Sequence, residues 1–327
     1  MALTPIDEQH ALQIQAGTIG RKAGHAFEDE ITKRINELPK PYRPCDIPGA
    51  ESHVFSGKPE IHLLNYICSR RGVNELTDIV ALSTGALATS EEGKNWLEIN
   101  GVVVRRCKSD IILTFTDSDE NEFSVGVSSK QCNKPKPTNA QLFCSTAFAF
   151  CQMLRNARIP VSINAERSLR QLCGDRGFRP LDDRKRMKGR VIDPTHYFWE
   201  ETDAKGRAEF ERLFAKKQNE ITRLLLQKAY LDDPFTPDFL LHKTKRADSL
   251  EQTQIALYSI DELVELSRNY AGFHLREYSV NKGSHRDPPG VKHLAPRFGI
   301  VQMQRLGNKQ NATQLQFNLK AGYFYKI

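Results

Sequence analysis

The chain has no CxxC pair, no apolar run of the length a membrane helix needs, no low-complexity tract and no internal repeat. Each absence removes a class. Without a CxxC pair the seven scattered cysteines (Cys45, Cys68, Cys107, Cys132, Cys144, Cys151 and Cys173) do not read as a zinc knuckle. Their number is odd and several sit in apolar settings such as Phe143-Cys144 and Phe150-Cys151, which suits buried thiols of a reducing compartment. A spanning helix takes roughly 20 apolar residues, so no membrane partner is expected. Lack of a repeat argues against solenoids and propellers. The start, Met-Ala-Leu-Thr-Pro-Ile-Asp, has no basic segment followed by an apolar run, so a secretory signal is not expected. The expected setting is the cytoplasm.

What is present is a positive balance. Among 327 residues, 47 Lys and Arg against 40 Asp and Glu leave a net charge of +7. Such a surface favours polyanions, nucleic acid first. The length accommodates one large domain or two modest ones.

Periodicity predicts the elements. From Ala16 to Leu38, apolar residues recur at helical steps through Ala23, Phe27, Ile31 and Ile35, and Pro39-Lys40-Pro41 ends the run. Helices are also predicted over Glu60–Arg70 and Glu75–Leu87. The texture then turns to strand. Gly101 to Arg105 is β-branched. Asp110 to Thr116 alternates, Asp117 to Asn121 is a turn cluster, and Glu122 to Lys130 is a second strand. A loop at Asn133–Thr138 leads to a predicted apolar helix over Asn139–Asn156 and a strand over Ile159–Ile163. Further on, Gly206–Tyr230 reads as an amphipathic helix. Gln254–Tyr258 reads as a strand feeding a helix capped by Ser259, and the chain is β-rich from Gly272. The expectation is an α/β (α+β) fold, a central mixed sheet flanked by helices with a β-containing C-terminal extension. A core at 1–165 and a recognition and dimerisation region at 166–327 are expected to form two domains or one.

Alternation assigns faces. Ile111, Leu113 and Phe115 share one side of their strand, with Asp110, Ile112 and Thr114 on the other. On the next strand Phe123, Val125 and Val127 oppose Ser124, Gly126, Ser128 and Lys130. A hairpin therefore brings Asp110 to Ser128 and Lys130. An acid and a lysine at the end of a buried sheet are costly without a partner, metal or ligand. Phosphodiester hydrolysis supplies one: carboxylates hold Mg²⁺, and a lysine orients water and offsets developing charge.

Lys108-Ser109-Asp110 followed by Val127-Ser128-Ser129-Lys130 resembles the PD-(D/E)XK nuclease pattern, in particular that of type II restriction endonucleases. Gly24-His-Ala-Phe27-Glu28 is similar to the family's first core helix, and the resemblance covers roughly residues 16–165. It implies Asp110, Glu28, Ser128 and Lys130 as catalytic residues. It also implies a Mg²⁺ shell of Asp110, Glu28 and the backbone carbonyl of Ser129. Two positions depart from the pattern. Ser109 replaces a proline, and Ser128 stands where an acid belongs, which shifts the second carboxylate to Glu28. Asp29 and Glu30 have Lys33 and Arg34 four residues on and are explained by surface pairing, whereas Glu28 borders the apolar stripe. Thr236-Pro237-Asp238 is a literal Pro-Asp, but no acid-x-lysine strand follows it, and Phe239–Leu241 reads as core.

For a DNA ligand, phosphate contact falls to Arg184, Lys185, Arg186, Lys188 and Arg190. Base reading falls to His285 and Arg286 and to Gln302, Gln304, Arg305, Asn308, Lys309 and Gln310, since Arg pairs with guanine and Gln or Asn with adenine. His293 is not expected to bind metal. The implied activity is site-specific cleavage of double-stranded DNA by a homodimer, with Mg²⁺ and without an organic cofactor. Three alternatives stay open: a repair or junction-resolving nuclease, an inactive DNA-binding protein with a degraded nuclease core, and an unrelated basic α/β protein.

Overall fold

The computed structural model describes residues 25–45, 53–84, 97–99, 102–104, 107–183, 196–229, 231, 233–280, 287–304 and 314–325. The architecture is mixed α/β, with a mixed central sheet flanked by helices. Two compact units divide it. One takes the described residues up to Ala140, Asp232–Leu263 and the chain from Ala321; the other takes Gln141–Leu231 and Val264–Lys320.

In the first unit, helix α1 (25–36) buries Phe27, Ile31 and Ile35, the predicted stripe. Strand β1 (Val54–Ser56) and helix α2 (Pro59–Arg71) follow. Pro59 sits at the start of α2, where its missing N–H costs nothing, and Gly72 closes the helix at φ 69°. Strand β2 (Leu76–Ser83) comes next. Strands β3 (Leu97–Ile99) and β4 (Val102–Val104) form a separate antiparallel pair. Then come β5 (Ile111–Asp117), β6 (Glu122–Gln131), β8 (Phe239–Lys243) and β9 (Gln254–Ser259). The six-stranded order is β1-β9-β8-β6-β5-β2. Only β6 and β8 run parallel in it; every other neighbouring pair is antiparallel. The face bearing Ile111, Leu113, Val125, Val127, Leu241 and Leu257 packs with α1 and α2 into one core. On the other face Tyr258 Oη donates to the Phe324 carbonyl at 2.6 Å, from the short helix α8 (Ala321–Phe324).

Residues predicted as a helix over 75–87 form β2 instead. Leu76, Ile79, Val80 and Leu82 fit helical spacing as well as a bulged strand. The bulge between Leu76 and Asp78 restores alternation, burying Ile79 and Ala81 and leaving Val80 53% exposed. β2 is a sheet edge, and that edge is plugged. The Asn36 amide accepts from Ala81 N at 2.7 Å and donates to Ala81 O at 2.9 Å, and Tyr42 exchanges both backbone bonds with Leu76. Asn36→Ala is expected to cost about 1–3 kcal/mol and to promote self-association. Urea unfolding and light scattering check this; wild-type values in both would show the plug to be idle.

In the second unit, β7 (Ala140–Thr146) and α3 (Ala147–Asn156) occupy the stretch expected to be one helix. Thr146 caps α3 by accepting from Ala149 N at 3.2 Å. The strand expected at 159–163 is loop as far as Ser162, which caps α4 (Ile163–Cys173), whose buried stripe is Ala165, Leu169 and Leu172. The long predicted helix is two, α5 (Ala204–Lys216) and α6 (Gln218–Gln227). The break turns Gln218 inward, where its side chain holds Ser267 O at 2.6 Å and Gly272 N at 3.0 Å. Helix α7 (Ile260–Arg268) starts at the predicted Ser259 cap, with Glu262 N donating to Ser259 Oγ at 3.1 Å. Strands β10 (Phe273–Tyr278), β11 (His293–Phe298), β12 (Val301–Gln304) and β13 (Gln314–Leu319) join β7 in the order β10-β11-β12-β13-β7. Phe150, Phe214, Phe298 and Phe317 form its aromatic core. The first sheet takes β8 and β9 from beyond residue 165, so both units draw on both halves of the chain.

Gly126 of β6 lacks a side chain for a local reason. A Cβ there would lie 2.2 Å from Ser109 Oγ and 2.7 Å from the Thr236 carbonyl. Gly126→Ala is expected to destabilise by about 3 kcal/mol, the upper range for overpacking. Chemical denaturation reads it, and a loss below about 1 kcal/mol would contradict this packing.

Candidate active site

The segment entering β5 is pinned from several sides. Ser109 is fully buried, and its Oγ donates to Phe235 O at 2.9 Å. Its carbonyl accepts from Thr84 Oγ1 at 2.5 Å and Cys107 Sγ at 3.1 Å. A proline at this position would have no hydroxyl to make the first of these bonds. Asp110 extends the ladder: its N donates to Val127 O, and its O accepts from Thr84 N, both at 2.9 Å. The register Ile111↔Val127, Leu113↔Val125 and Phe115↔Phe123 gives the expected faces, and Thr114 and Ser124 hydroxyls meet at 3.0 Å on the other side.

At the end of this hairpin Asp110 uses its side chain as a surrogate strand. Its Oδ2 accepts from Ser129 N at 2.6 Å, from Ser128 Oγ at 3.2 Å and from Lys130 Nζ at 3.3 Å. Lys130 Nζ also donates to Ser128 Oγ and to the Ser129 carbonyl, each at 2.7 Å. The ammonium thus sits among three oxygens, and the Ser128 hydroxyl links acid to lysine. Both charged side chains keep partial solvent access.

Glu28 reaches the cluster from α1, on the helix-covered face to which Ser129 rather than Ser128 belongs. It is 6% exposed, with His25 Nδ1 3.6 Å from Oε2. Burial first, and then the charge of Asp110, push its carboxyl up from 4.5 to about 8, against the pull of Lys130. Glu28 is therefore neutral at pH 7 when no further cation is near. Ser129, its neighbour, places a buried hydroxyl within reach of the Glu28 carboxyl and also pulls it down. Two crowded carboxylates, one forced neutral, fit a cation. Glu28, Asp110 and the Ser129 carbonyl are the oxygens that could hold it. Among the described residues no group of three His, Cys, Asp or Glu side chains is arranged to hold a metal, so a backbone carbonyl has to complete any such shell.

His242 was not foreseen from the sequence. It lies beside Lys130 across the β6–β8 register and is almost fully buried. Burial and the Lys130 charge bring its imidazole down to about 3, so it stays neutral. Tyr325 Oη contacts its Nδ1. Sequence spacing carries no signal for this neighbour, because β8 lies more than 100 residues from β6. Cys107 is likewise held as a thiol, pushed up to about 11 by burial and by Asp110.

Asp238, the literal Pro-Asp, is spent elsewhere. Its Oδ2 accepts from Gly126 N at 3.1 Å, and Arg71 lies 3.3 Å from Oδ1. His293 holds Glu200 and Asp287 on its two nitrogens at 3.0 and 3.1 Å, a structural clamp stacked on Phe198. Gln302 is 5% exposed within its sheet, so it is not a surface side chain; Gln304 is half-exposed opposite Gln316. Arg184, Lys185, Arg186, Lys188, Arg190, His285, Arg286, Arg305, Asn308, Lys309 and Gln310 lie outside the described residues. No described helix is long and apolar enough to cross a membrane.

No protein-family model and no curated protein matches the chain. Among solved structures it is similar to the restriction endonuclease MspI in complex with its cognate DNA. The match has 12% sequence identity and a TM-score of 0.39, and covers 79% of this chain and 78% of that chain.

Proposed function

We propose that this chain is a Mg²⁺-dependent endonuclease of the type II restriction class, hydrolysing phosphodiester bonds at a short site in double-stranded DNA. One observation carries the reading: Asp110 and Lys130 meet at the end of a hairpin beside the buried carboxyl of Glu28. Fold stability gives no reason to keep Glu28 there, since burying an acid beside another acid costs free energy. A divalent cation held by Asp110, Glu28 and the Ser129 carbonyl removes that cost. Such an ion, when bound, lowers the pKa of coordinated water and offsets charge on the scissile phosphate. Lys130 adds a fixed positive charge and hydrogen-bond donors at the same oxygens, where it orients the attacking water and stabilises the phosphorane-like charge. Ser128, standing in the place of an acid, holds the Lys130 ammonium instead of a metal. His242, neutral beside Lys130, adds no second charge to the hairpin end. Two copies related by a two-fold axis would match a palindromic site.

Incubating the protein with plasmid DNA, with Mg²⁺ and with a chelator, tests the reading. Discrete Mg²⁺-dependent fragments are expected. A smear or structure-dependent nicking would instead indicate a repair or junction-resolving nuclease of the same chemistry. The serine at position 128, with Lys130 already bound to the oxygens, favours one other reading: a DNA-binding protein that has lost catalysis. Binding without cleavage at any divalent ion would select it.

A further inference from the structure

On the second sheet the register lines up one polar side chain per strand. His274 of β10 pairs with Arg297 of β11, Arg297 with Gln302 of β12, and Gln302 with Asn318 of β13. Cross-strand partners share a face. The four therefore form a transverse row on the side opposite Phe298, Val301 and Phe317. Arg276, two residues along β10, points the same way. So does Lys320, one residue past Leu319, whose N–H bonds the Ile300 carbonyl at 2.9 Å. The row is graded. Gln302 and Asn318 are buried, Arg297 and Lys320 half-buried, and His274 and Arg276 exposed.

Three cations on this face lie close together. Lys320 is pulled below its ordinary value by burial and then by the positive charges of Arg276 and Arg297, so the three cations feel one another. Among the described residues no carboxylate forms an ion pair with Arg276 or Lys320. Glu200 and Asp287, which reach the same face, are taken by the two nitrogens of His293. Arg276 and Lys320, close enough to feel each other's charge and with no carboxylate bridged to either among the described residues, fit a polyanion.

We propose that His274, Arg276, Arg297 and Lys320 form a contact surface for the phosphate backbone of double-stranded DNA. The identity of the partner rests on the nuclease reading. The assignment goes beyond it, since these residues belong to the unit that does not contain Asp110 and Lys130. Each phosphate neutralised by a side chain steepens the fall of log affinity with log salt by about 0.9.

The test measures fluorescence anisotropy of a labelled DNA duplex across roughly 50–200 mM salt, without divalent ions. For the double variant Arg276→Ala/Lys320→Ala the slope is expected to flatten by about two and the affinity to fall about tenfold or more. The charge-conserving double variant Arg276→Lys/Lys320→Arg should keep the wild-type slope. An alanine variant with the wild-type slope overturns the proposal. So does a charge-conserving variant that loses as much as the alanine one, which would mean a packing role. Plasmid cleavage by the wild type is scored separately. Cleavage with a salt slope insensitive to these residues retires this surface and leaves the nuclease reading standing. A variant-sensitive slope without cleavage does the reverse.

Discussion

Lys130→Ala is expected to abolish Mg²⁺-dependent cleavage, with a loss of roughly 10³-fold or more, while duplex DNA affinity changes by no more than about threefold. The Lys130 ammonium donates to Ser128 Oγ, the Ser129 carbonyl and Asp110 Oδ2 within 3.3 Å, so it sits where the reading puts attacking water and scissile phosphate. Alanine removes both the charge and the donors, and the adjacent His242 does not replace the charge, since it is neutral at any pH above about 3. Lys130→Arg is expected to rescue little. A planar guanidinium cannot place a compact charge among three converging oxygens as an ammonium does. Single-turnover cleavage beside anisotropy makes the measurement, and an unchanged cleavage rate in Lys130→Ala would sink the assignment of this site.

Glu28→Gln is expected to move stability and activity in opposite directions. Glu28 has its carboxyl raised from 4.5 to about 8, chiefly by burial. Between those values the folded state keeps a proton that the unfolded chain has released. Stability therefore falls as pH rises through this window, and above about pH 8 the folded chain bears the whole cost. Glutamine keeps the shape and stays neutral at every pH. The variant should unfold at a higher denaturant concentration than the wild type at pH 8, with the gap closing towards pH 4.5. Cleavage should drop by at least about 100-fold, because an amide is a poor Mg²⁺ ligand. Mg²⁺ should raise the Tm of the wild type and not of Glu28→Gln, through mass action on the folded state. A variant that is active, or one less stable than the wild type at pH 8, would remove Glu28 from the site.

Taken together, the two substitutions separate the charge that acts on the phosphate from the carboxylate that would hold the metal. A plain structural role for either residue predicts the opposite sign for at least one readout. Gly126→Ala and Asn36→Ala act on the hairpin and its sheet edge and should leave the chemistry of the site to be judged on folded protein.

Much of the site was legible because it is local. Asp110, Ser128 and Lys130 lie on two strands joined by a short turn, and period-two alternation alone brings them together. Glu28 was legible as the carboxylate at the border of the Phe27–Ile31–Ile35 stripe, one without a basic residue four positions on. Ser259 was legible as a cap because capping depends on its own side chain and the next turn.

What only the tertiary structure decided is non-local. Residues 76–82 satisfy helical and bulged-strand spacing alike; the free edge of β5 and the Asn36 amide selected the strand. Residues 140–146 became β7 because a strand place on the second sheet was available to them. β8 entered the first sheet parallel to β6 from beyond residue 165, setting His242 beside Lys130 and tying Asp238 to Gly126. Gln302 looked like a base reader along the chain, yet its sheet buries it. Local periodicity records which face of a segment is apolar. It does not record which distant segment covers that face, and in this protein those covering segments determine the charge and hydration around Asp110, Glu28 and Lys130.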